Sequence, residues 1–465
     1  MKPTSDQERS NGPQPSGWRP RLSVDRIWAS LADQFRHPLQ RNGYALLFGS
    51  GTTSAIGLAY WVLAARLYPT EVLGLNSALL SAMLLLAGMG QLGVNAALMR
   101  FIPEIGRHTR RLILVSYVIA VAIAMLASLV FYLGIDRWAP ALSFVARGAA
   151  WPLVFLATVV GWCLFSLQDN VLTGLRQAVW VPAENTIFSV IKIILLIVFA
   201  RSFPGFGILF SWVIPAVLLI PAVNLLIFRR LIPEHARNPL PAQPRVAAGS
   251  ILRFGAGNFI GSLFFVVYNT FLPVIVTNQV GVSATAYFYL PWTVASAIQL
   301  IGQSLASSLV VEAALDQSKL KAYVKRILIS SFGLLAPIAL VLLVGSPYLL
   351  RIYGPAYAAE GAILLRLLAV ASVPSTLVAV AIGLMRARNR NWQIVISQGG
   401  LCALALGLAY ALLPRYGING VGIAWLVAQT AAALYLLATE FWPLWRSQPE
   451  ATRPSPAGAQ LKELP

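Results

Sequence analysis

The sequence predicts an all-α integral membrane protein, with twelve transmembrane helices arranged as two six-helix lobes around a central cavity. The first observation is composition: 58% of the 465 residues are hydrophobic, 11% are charged, and the mean hydropathy is +0.71. The second is a series of apolar spans of about twenty residues, the length that crosses the hydrocarbon core of a bilayer. The third is a similarity between the two halves of the chain. Together they exclude a soluble globular or a disordered chain.

The charges, cysteines and histidines narrow the possible partners. The formal net charge is +19, but the Lys and Arg residues form short clusters between apolar spans and not one long basic face. We therefore expect these residues to set the orientation of the spans in the membrane, and we expect no nucleic acid partner. Cys163 and Cys402 fall inside different apolar spans, which predicts no disulfide. His37, His108 and His235 are scattered without neighbouring ligands, so no metal or other cofactor is expected.

Residues 1–42 precede the first span and predict a cytoplasmic tail. Their beginning is polar and lacks the apolar core of a cleavable signal, so the first span itself is expected to direct insertion. From Leu22 to Gln40, apolar residues recur at helical spacing among arginines, which indicates a helix lying on an anionic membrane surface. An ordinary solvated linker helix is the alternative. The apolar residues are Val24, Ile27, Trp28, Leu31 and Phe35.

Two groups of six spans follow this tail. Residues 43–228 are predicted to form the N-lobe and 251–440 the C-lobe, joined by a cytoplasmic linker at 229–250 that contains four prolines, with a cytoplasmic tail at 441–465. The N-lobe spans lie near 43–66, 73–99, 112–133, 149–174, 181–200 and 207–228. The C-lobe spans lie near 251–276, 284–311, 327–349, 361–385, 393–413 and 417–440.

The basic residues orient these spans. Loops after even-numbered spans carry seventeen Lys and Arg residues, whereas loops after odd-numbered spans carry five. Because basic loops remain in the cytoplasm, both termini are predicted to be cytoplasmic. The longest loop on the opposite side runs from about Gly134 to Gly148, so we expect no extracytoplasmic domain that could house an enzyme.

The two halves repeat one another in parallel. A shift of 208 residues aligns the second span with the eighth, and a shift of 206 aligns the first with the seventh. Six is an even number, so the two repeats have the same orientation in the membrane. The aligned pairs include Ser77 with Thr285, Ser81 with Tyr289, Gln91 with Gln299, Asn95 with Gln303, and Phe48 with Phe254.

Polar stripes run along these four repeat-related spans. Hydrocarbon cannot satisfy amides and hydroxyls, so each stripe must face another helix or a water-filled cavity. Helix-to-helix packing explains any single stripe as well as a cavity does. Four related stripes favour one polar, aromatic cavity shared by the lobes. The expected cavity residues are Ser77, Ser81, Gln91, Asn95, Asn258, Ser262, Asn269, Tyr289, Trp292, Gln299 and Gln303, and the first span carries Ser50, Ser54, Gly57 and Trp61.

Few ionisable residues fall inside the spans. A charge at the membrane centre costs about 2.5–3.5 kcal/mol on insertion scales, so such residues should be paired or should face water. Lys192 lies near the middle of the fifth span and could reach Asp169 on the fourth. We expect these two residues to form a structural ion pair, with contact to an anionic substrate or a proton or sodium relay as the alternatives.

Several stretches resemble bacterial polysaccharide and O-antigen flippases, the Wzx-like family of the multidrug, oligosaccharidyl-lipid and polysaccharide exporter superfamily. They are ARLYPTEVLGLNSALLSAMLLLAGMGQLGVNAALMRFIPEIGR in the first half, LQDNVLTGLRQAVWVPAENTIFSVIK around the fourth span, YGPAYAAEGAILLRLLAVASVPSTLVAVAIGLMRARNR near the tenth, and YGINGVGIAWLVAQT before the twelfth. The resemblance covers roughly 43–440. Its signals are glycine, proline and arginine positions in a hydropathy pattern, without a catalytic signature.

The resemblance implies a two-lobed fold whose central cavity is built from the first, second, seventh and eighth spans. It implies a transporter of the bacterial cytoplasmic (inner) membrane, not an enzyme. The expected activity is to flip polyprenyl-diphosphate-linked oligosaccharide, a precursor of O-antigen, exopolysaccharide or another surface polysaccharide, to the outer leaflet by alternating access. Membrane lipids are implied as further partners, with room for polysaccharide polymerase and assembly proteins.

The sequence departs from related transporters of the superfamily in two respects, and two other functions remain as alternatives. The predicted cavity faces carry no arginine to hold a diphosphate, and neither the first nor the seventh span carries the carboxylate usual in multidrug extruders. Multidrug extrusion is the main alternative. A membrane-embedded glycosyltransferase or polymerase would need reactive side chains near a sizeable outer loop, where this chain offers only Asp136, Arg137 and Arg147.

Overall fold

A computed structural model describes residues 56–91, 93–105, 108–148, 150–237, 248–315, 320–388 and 390–446. These residues form α-helices joined by short turns, with a 3₁₀ helix at Pro140–Ala146 and no strand. The predicted tail at 1–42, with its interfacial helix from Leu22 to Gln40, lies outside the described residues, as do Ser50 and Ser54.

The described residues of the first half include seven helices of the bundle. A break at Gly93 divides the predicted second span into two of them. Gly93 has a φ of 77°, a left-handed backbone that glycine adopts without a steric penalty. The helices are α1 Ile56–Leu67, α2 Thr70–Gln91, α3 Val94–Ile105, α4 Thr109–Trp138, α5 Ala150–Gly174, α6 Trp180–Ser202 and α7 Gly207–Leu226.

The described residues of the second half likewise include seven helices of the bundle. A break at Phe271 divides the predicted seventh span, and Pro273 fits directly after it because the first turn of a helix does not need that N–H group. The helices are α8 Ala248–Thr270, α9 Leu272–Gln279, α10 Val282–Leu315, α11 Leu320–Arg351, α12 Pro355–Ala387, α13 Asn391–Tyr416 and α14 Ile418–Leu436.

Among the described residues, ten helical stretches are long and apolar enough to cross a membrane, and they coincide with ten of the twelve predicted spans. The other two predicted spans correspond to α1, of which twelve residues are described, and to α10, whose 34 residues give a length of about 51 Å. The all-helical membrane fold is thereby confirmed.

Two helices continue past the predicted ends of their spans. The sixth span was expected to end at 228, but α7 continues through a π-turn at Ile227–Leu231 to Arg237. The twelfth was expected to end at 440, but α14 continues through a π-turn at Leu437–Phe441 to Arg446. Burial explains both extensions. Leu231 in the first extension and Phe441 in the second are buried, so each helix continues where apolar side chains still pack against protein.

A buried carboxylate holds the end of α14 in place. Glu440 is 2% exposed and its two oxygens lie 3.1 Å from Nη1 of Arg390 and 3.6 Å from Nη1 of Arg388. Both arginines belong to the turn between α12 and α13. The two arginine side chains are 24% and 43% exposed, and hydrogen bonds to a charged group contribute about 1.5–3 kcal/mol. The pair therefore anchors this turn to α14.

The helices pack as two groups that meet along α2. Helices α2 and α4 to α7 pack together, as do α8 and α10 to α14, and α2 also contacts α8, α9 and α10. Buried apolar side chains such as Leu79 and Met83 form the interior of the first group, and Leu364 and Trp425 that of the second. Large apolar side chains such as Leu133 remain exposed, as expected of a surface that faces lipid.

The helices alternate in direction, which gives the bundle two ends. We call the end that holds residues 66–70, 138–150, 202–207, 279–282, 351–355 and 416–418 the Trp138 end. The opposite end holds the starts of α4, α6, α8, α11 and α13, and the end of α12, and is called the Arg386 end.

Candidate functional site

The two halves are held tightly together at the Trp138 end. Gly74 of α2 lies directly against α10, where an added Cβ would sit only 1.7 Å from the carbonyl oxygen of Val282. Only a residue without a side chain allows two backbones to come this close. The seam between α2 and α10 is therefore closed at this end.

Hydrogen bonds between the halves reinforce this closure. Arg66, at the end of α1, donates from Nη2 and Nε to the carbonyl oxygen of Ile352 at 2.8 and 3.1 Å. Ser283 donates to Oε1 of Glu71 at 3.3 Å, and Asn278 donates to the carbonyl of Trp138. Each bond joins a residue of the first half to one of the second.

Next to the Trp138 end, aromatic rings from the two halves pack against each other in the seam. The ring of Trp61 on α1 lies 4.9 Å from that of Tyr289 on α10 and 6.4 Å from that of Trp212 on α7. The Tyr60 hydroxyl makes a 2.8 Å hydrogen bond with the Ser211 hydroxyl. Rings from both halves thus fill the space where the lobes meet.

Four predicted cavity residues lie in this packed seam and its surroundings. Ser77 and Ser81 are buried, and the Ser81 hydroxyl donates to the Ser77 carbonyl at 2.8 Å. Tyr289 is buried against Trp61, and the Trp292 ring lies 4.9 Å from that of Trp425. In this conformation these four side chains pack against protein. The sequence could not distinguish packing from a cavity wall, since both place polar residues on one face of a helix.

A polar cavity lies instead inside the second half. It encloses about 920 Å³ of empty space, counting its open mouth, and is bounded by α8, α10 and α12, with contributions from α11, α13 and α14. Three of the predicted residues line it: Ser262 from α8, and Gln299 and Gln303 from α10. The structure brings these three together, as the stripes suggested, but with partners from the same lobe.

Further amides and hydroxyls complete the cavity wall. Gln398 of α13 accepts a 3.2 Å hydrogen bond from the Tyr268 hydroxyl, while the buried Gln429 of α14 has an Oε1 atom without a donor. Three hydroxyl residues of α12, namely Ser372, Ser375 and Thr376, also line the cavity, and each donates to a carbonyl of its own helix at 2.6–2.7 Å. The wall therefore offers the acceptor oxygens of its hydroxyls and a mixture of amide donors and acceptors.

Arg386 is the only charged residue among the described residues that line the cavity. It lies in the last turn of α12, at the Arg386 end. Arg386 lies one residue beyond the predicted end of the tenth span at 385, so it was grouped with the loop residues and was not assigned to the predicted cavity. The missed signal was periodicity: Arg386 continues the helical face of Thr376, Ala379 and Gly383, all of which line the cavity.

Three other predicted cavity residues, Gln91, Asn95 and Asn269, are not among the described residues that line this cavity. Asn95 donates to Oε1 of Gln91 at 3.4 Å, and both residues are half-buried on α2 and α3. Asn269 donates to the carbonyl of Phe265 at 2.9 Å. The side chain of Asn258 lies outside the described part of the structure, so its place in the cavity stays a prediction.

Lys192 and Asp169 are separated in this structure, contrary to the expected ion pair. Lys192 is buried, with Nζ 4.4 Å from the ring centre of Trp212, 4.6 Å from Tyr60 and 5.0 Å from Phe188. Such cation–π contacts stabilise a lysine away from water.

Asp169 instead accepts long hydrogen bonds of 3.3 and 3.4 Å from Nδ2 of Asn185. Asn185 lies seven residues before Lys192 on α6, which is about 10 Å along a helix axis. The register of α6 therefore carries the lysine past the carboxylate. A relay role for these two residues stays a prediction.

A second, apolar crevice lies between the two halves. It has about 870 Å³ of empty space and is lined by Leu86 and Met89 of α2, Leu126 of α4, and Val267 and Phe271 of α8. Leu126 is 61% exposed, so the crevice reaches the surface that faces lipid. Apolar walls open to the bilayer suit a hydrocarbon chain.

Comparison with known proteins identifies the family. The sequence profile described as "Polysaccharide biosynthesis protein" matches residues 39–315, which is more than half of the chain. The chain belongs to this family. A comparison with curated proteins finds no match.

Solved structures of similar fold are transporters. A multidrug resistance MATE family transporter of the MOP superfamily, in an inward-facing conformation, matches with a TM-score of 0.64 and 17% identity, covering 85% of this chain and 94% of the other. A MOP superfamily transporter from Pyrococcus furiosus matches with a TM-score of 0.60 and 14% identity, covering 90% and 98%. The Vibrio cholerae MATE transporter VcmN matches with a TM-score of 0.56 and 15% identity, over the same shares. This family member therefore has the fold of the MOP superfamily transporters.

Proposed function

We propose that this protein is a bacterial inner-membrane flippase that moves a polyprenyl-diphosphate-linked oligosaccharide from the cytoplasmic to the outer leaflet by alternating access. The observation that carries the proposal is the cavity of amides, hydroxyls and one arginine in a member of a polysaccharide biosynthesis family. Membrane lipids, and polysaccharide polymerase or assembly proteins, are the further partners that such a role requires.

The cavity chemistry suits a sugar headgroup. Gln299, Gln303 and Gln398 offer donors and acceptors for sugar hydroxyls, and Phe265 and Tyr268 offer aromatic faces to the apolar faces of sugar rings. Glycans are uncharged over most of their surface, which agrees with a lining whose polar groups are almost all uncharged.

The diphosphate and the lipid need separate environments. Arg386 supplies a permanent positive charge, with N–H groups in a fork that matches phosphate oxygens. The crevice at Met89, Leu126 and Phe271 supplies an apolar surface for the polyprenyl chain, which would remain in the bilayer. A headgroup of hydroxyls and phosphates cannot cross hydrocarbon without losing its hydration, so the protein must provide the polar path.

The direction of transport follows from topology and closure. The distribution of basic residues assigns the Arg386 end to the cytoplasm and the Trp138 end to the outer side. The seam between the halves, closed at Gly74 and Arg66, would then be closed on the outer side, and Arg386 of the cavity would lie toward the cytoplasm. The likeness to a transporter described as inward-facing supports this assignment.

Deletion and complementation test the proposal. We expect deletion of the gene to remove a surface polysaccharide and to leave its lipid-linked precursor in the inner leaflet, and the wild-type gene to restore export. Normal surface polymer, with no second exporter in the strain, would contradict the proposal.

Complementation with cavity variants tests the site. Gln398→Leu removes an amide from the lining and should slow export about two- to tenfold, the equivalent of one hydrogen bond of about 0.5–1.5 kcal/mol. Gln393→Leu on the same helix is the matched control, because Gln393 is exposed. Equal export by the two variants would show that the cavity amides do not contact the substrate.

Multidrug extrusion remains a second candidate function, because solved structures of this fold include multidrug resistance transporters. It predicts that deletion increases susceptibility to several unrelated drugs while surface polysaccharide stays normal. Drug-susceptibility profiles of the deletion strain therefore separate the two candidates.

A further inference from the structure

Two arginines share one carboxylate at the Arg386 end of the bundle. Nη1 of Arg390 lies 3.1 and 3.2 Å from the two oxygens of the buried Glu440. Nη1 of Arg388 lies 3.6 Å from Oε2 of the same carboxylate. Because both Nη1 atoms contact Oε2, they lie no more than 6.8 Å apart, the sum of 3.6 and 3.2 Å. Glu440 thus holds two guanidinium groups side by side.

The carboxylate compensates only one of these two charges. Among the described residues, Glu440 is the only carboxylate in an ion pair with either arginine. Arg386, in the last turn of α12, adds a third positive charge two residues before Arg388. Like charges this close repel each other, and a second anion relieves the repulsion. The turn between α12 and α13 therefore has an excess of positive charge.

Many N–H groups of this arginine pair have no acceptor. The side-chain contacts of Arg388 and Arg390 all use Nη1, which reaches Glu440 in both cases and also Oε1 of Gln393, at 3.4 Å, in Arg390. In the part of the chain that the structure describes, Nε and Nη2 of both residues contact no acceptor. Both side chains are partly exposed, so a ligand outside the protein can reach them. A guanidinium fork matches a pair of phosphate oxygens.

Exposed tryptophans indicate the depth of the pair in the membrane. Trp392 is 70% exposed and follows Arg390 by two residues, and Trp442 is 58% exposed and follows Glu440 by two residues. Two residues of helix rise only about 3 Å along the axis. Tryptophan side chains concentrate at the level of the lipid headgroups. Arg446 adds a further guanidinium there, 4.7 Å from the ring centre of Trp442.

We propose that Arg388 and Arg390 bind the phosphate group of an anionic phospholipid in the leaflet at the Arg386 end. Basic pockets between transmembrane helices at the cytoplasmic side are known to bind anionic headgroups, and here Glu440 positions both forks in advance. The acyl chains would lie along α14, where Leu434 and Leu437 are exposed on the side of the bundle centre. Charge and depth together favour a lipid over a soluble anion.

The bound phosphate has a structural consequence. It compensates the second guanidinium charge, so it should strengthen the contact of the turn between α12 and α13 with α14. Arg386 of the cavity lies in the same turn region, two residues before Arg388. Any effect of the lipid on export rests on the proposed function, whereas lipid binding itself does not.

Native mass spectrometry of the purified, full-length protein tests the site without any substrate. The protein is titrated with phosphatidylglycerol, which is anionic, and with phosphatidylcholine, which is zwitterionic, and the dissociation constant of the first bound lipid is measured. The site variant is Arg388→Gln, in which Arg390 keeps both contacts with Glu440. Arg230→Gln is the matched control, because Arg230 is an exposed arginine at the same end and pairs with Glu234 at 3.1 Å.

The wild type should bind phosphatidylglycerol more tightly than phosphatidylcholine. Arg388→Gln should weaken the binding of phosphatidylglycerol about fivefold, the equivalent of the roughly 1 kcal/mol that one basic residue near an anionic surface contributes. It should leave the binding of phosphatidylcholine unchanged. The Arg230→Gln protein should bind both lipids as the wild type does.

Thermal unfolding in lipid nanodiscs separates a lipid from a free anion. Melting temperature is measured in phosphatidylcholine, in an equal mixture of phosphatidylcholine and phosphatidylglycerol, and in phosphatidylcholine with inorganic phosphate, all at equal ionic strength. The mixed bilayer should raise the melting temperature of the wild type more than that of Arg388→Gln, because a ligand that binds only the folded state stabilises it. Inorganic phosphate should raise neither.

Four results would overturn the proposal: equal affinity of the wild type for the two lipids, unchanged phosphatidylglycerol binding in Arg388→Gln, an equal loss in Arg230→Gln, or a stabilisation by inorganic phosphate that matches that of the lipid. If Arg388→Gln does not fold, Arg388→Lys replaces it, since lysine keeps the charge beside Glu440 but lacks the fork. It should bind phosphatidylglycerol more weakly than the wild type, and equal binding would count against the site. A protein that binds the lipid but exports no glycan would refute the proposed function and leave the site standing.

Discussion

Replacement of Gly74 by alanine should open the Trp138 end. The added Cβ would lie 1.7 Å from the carbonyl oxygen of Val282 and 2.7 Å from its carbonyl carbon. Carbon and oxygen atoms approach to about 3.3 Å, so α2 and α10 must separate by about 1.6 Å. The obstacle is backbone, which cannot change rotamer to make room.

The free-energy cost of the substitution to the closed state follows from this displacement. Overpacking of a well-packed contact costs about 1–3 kcal/mol. If the halves separate as rigid bodies, the 2.8 Å bond from Arg66 to Ile352 lengthens to about 4.4 Å and is lost, along with the bond from Ser283 to Glu71, which adds about 1 kcal/mol for exposed groups. A total of about 2–4 kcal/mol lowers the ratio of closed to open states about 30- to 1,000-fold.

Distances between spin labels across the seam measure this shift. Labels at Ser202→Cys and Tyr348→Cys are on opposite halves near the Trp138 end, both at exposed positions, and the native Cys163 and Cys402 are buried. The wild type should show one distance, and the Gly74→Ala protein a longer one.

A second helical glycine provides the control. Gly407 on α13 has no atom within 4 Å of an added Cβ, so Gly407→Ala should leave the distances unchanged. An unchanged distribution in folded Gly74→Ala protein would refute the reasoning, since it would mean that the seam can close without this backbone contact.

Three further outcomes are expected. Arg386→Gln should reduce export more than any single amide substitution in the cavity, measured as surface polymer at equal protein level, because it removes the only charge found in the described lining. Glu440→Gln should destabilise the protein by about 1.5–3 kcal/mol in thermal unfolding, the contribution of hydrogen bonds to a charged group, whereas Glu234→Gln should cost less than about 1 kcal/mol because its ion pair is exposed. Cys163 and Cys402 should resist a membrane-permeant maleimide until the protein unfolds, because both thiols are buried.

Several features of the candidate site could be predicted from periodicity. Ser262, Gln299 and Gln303 recur at helical spacing in apolar spans, and all three line the cavity. The same rule identified Ser77 and Tyr289, which pack in the seam. Periodicity reports which residues share a face of one helix. It does not report which helix that face meets.

Arg386 and Gln398 line the cavity, but periodicity in the sequence did not identify them. Arg386 was grouped with the loop residues, because the end of an apolar span does not reveal whether the helix continues past it. Gln398 does not share a helical face with Gln393, the other glutamine of its span, and it becomes part of a site only because α13 packs beside α8. Isolated polar residues carry no pattern that a sequence alone can reveal.

The sequence by itself determined the membrane class, the helical fold and the family, because bilayer thickness imposes a length and hydropathy on every span and leaves the backbone no alternative to a helix. Tertiary structure decided the rest: the closed seam at Gly74, the placement of the polar cavity inside one half, and the separation of Lys192 from Asp169. These features depend on which helices touch and at what register, and that is set by the packing of many side chains at once.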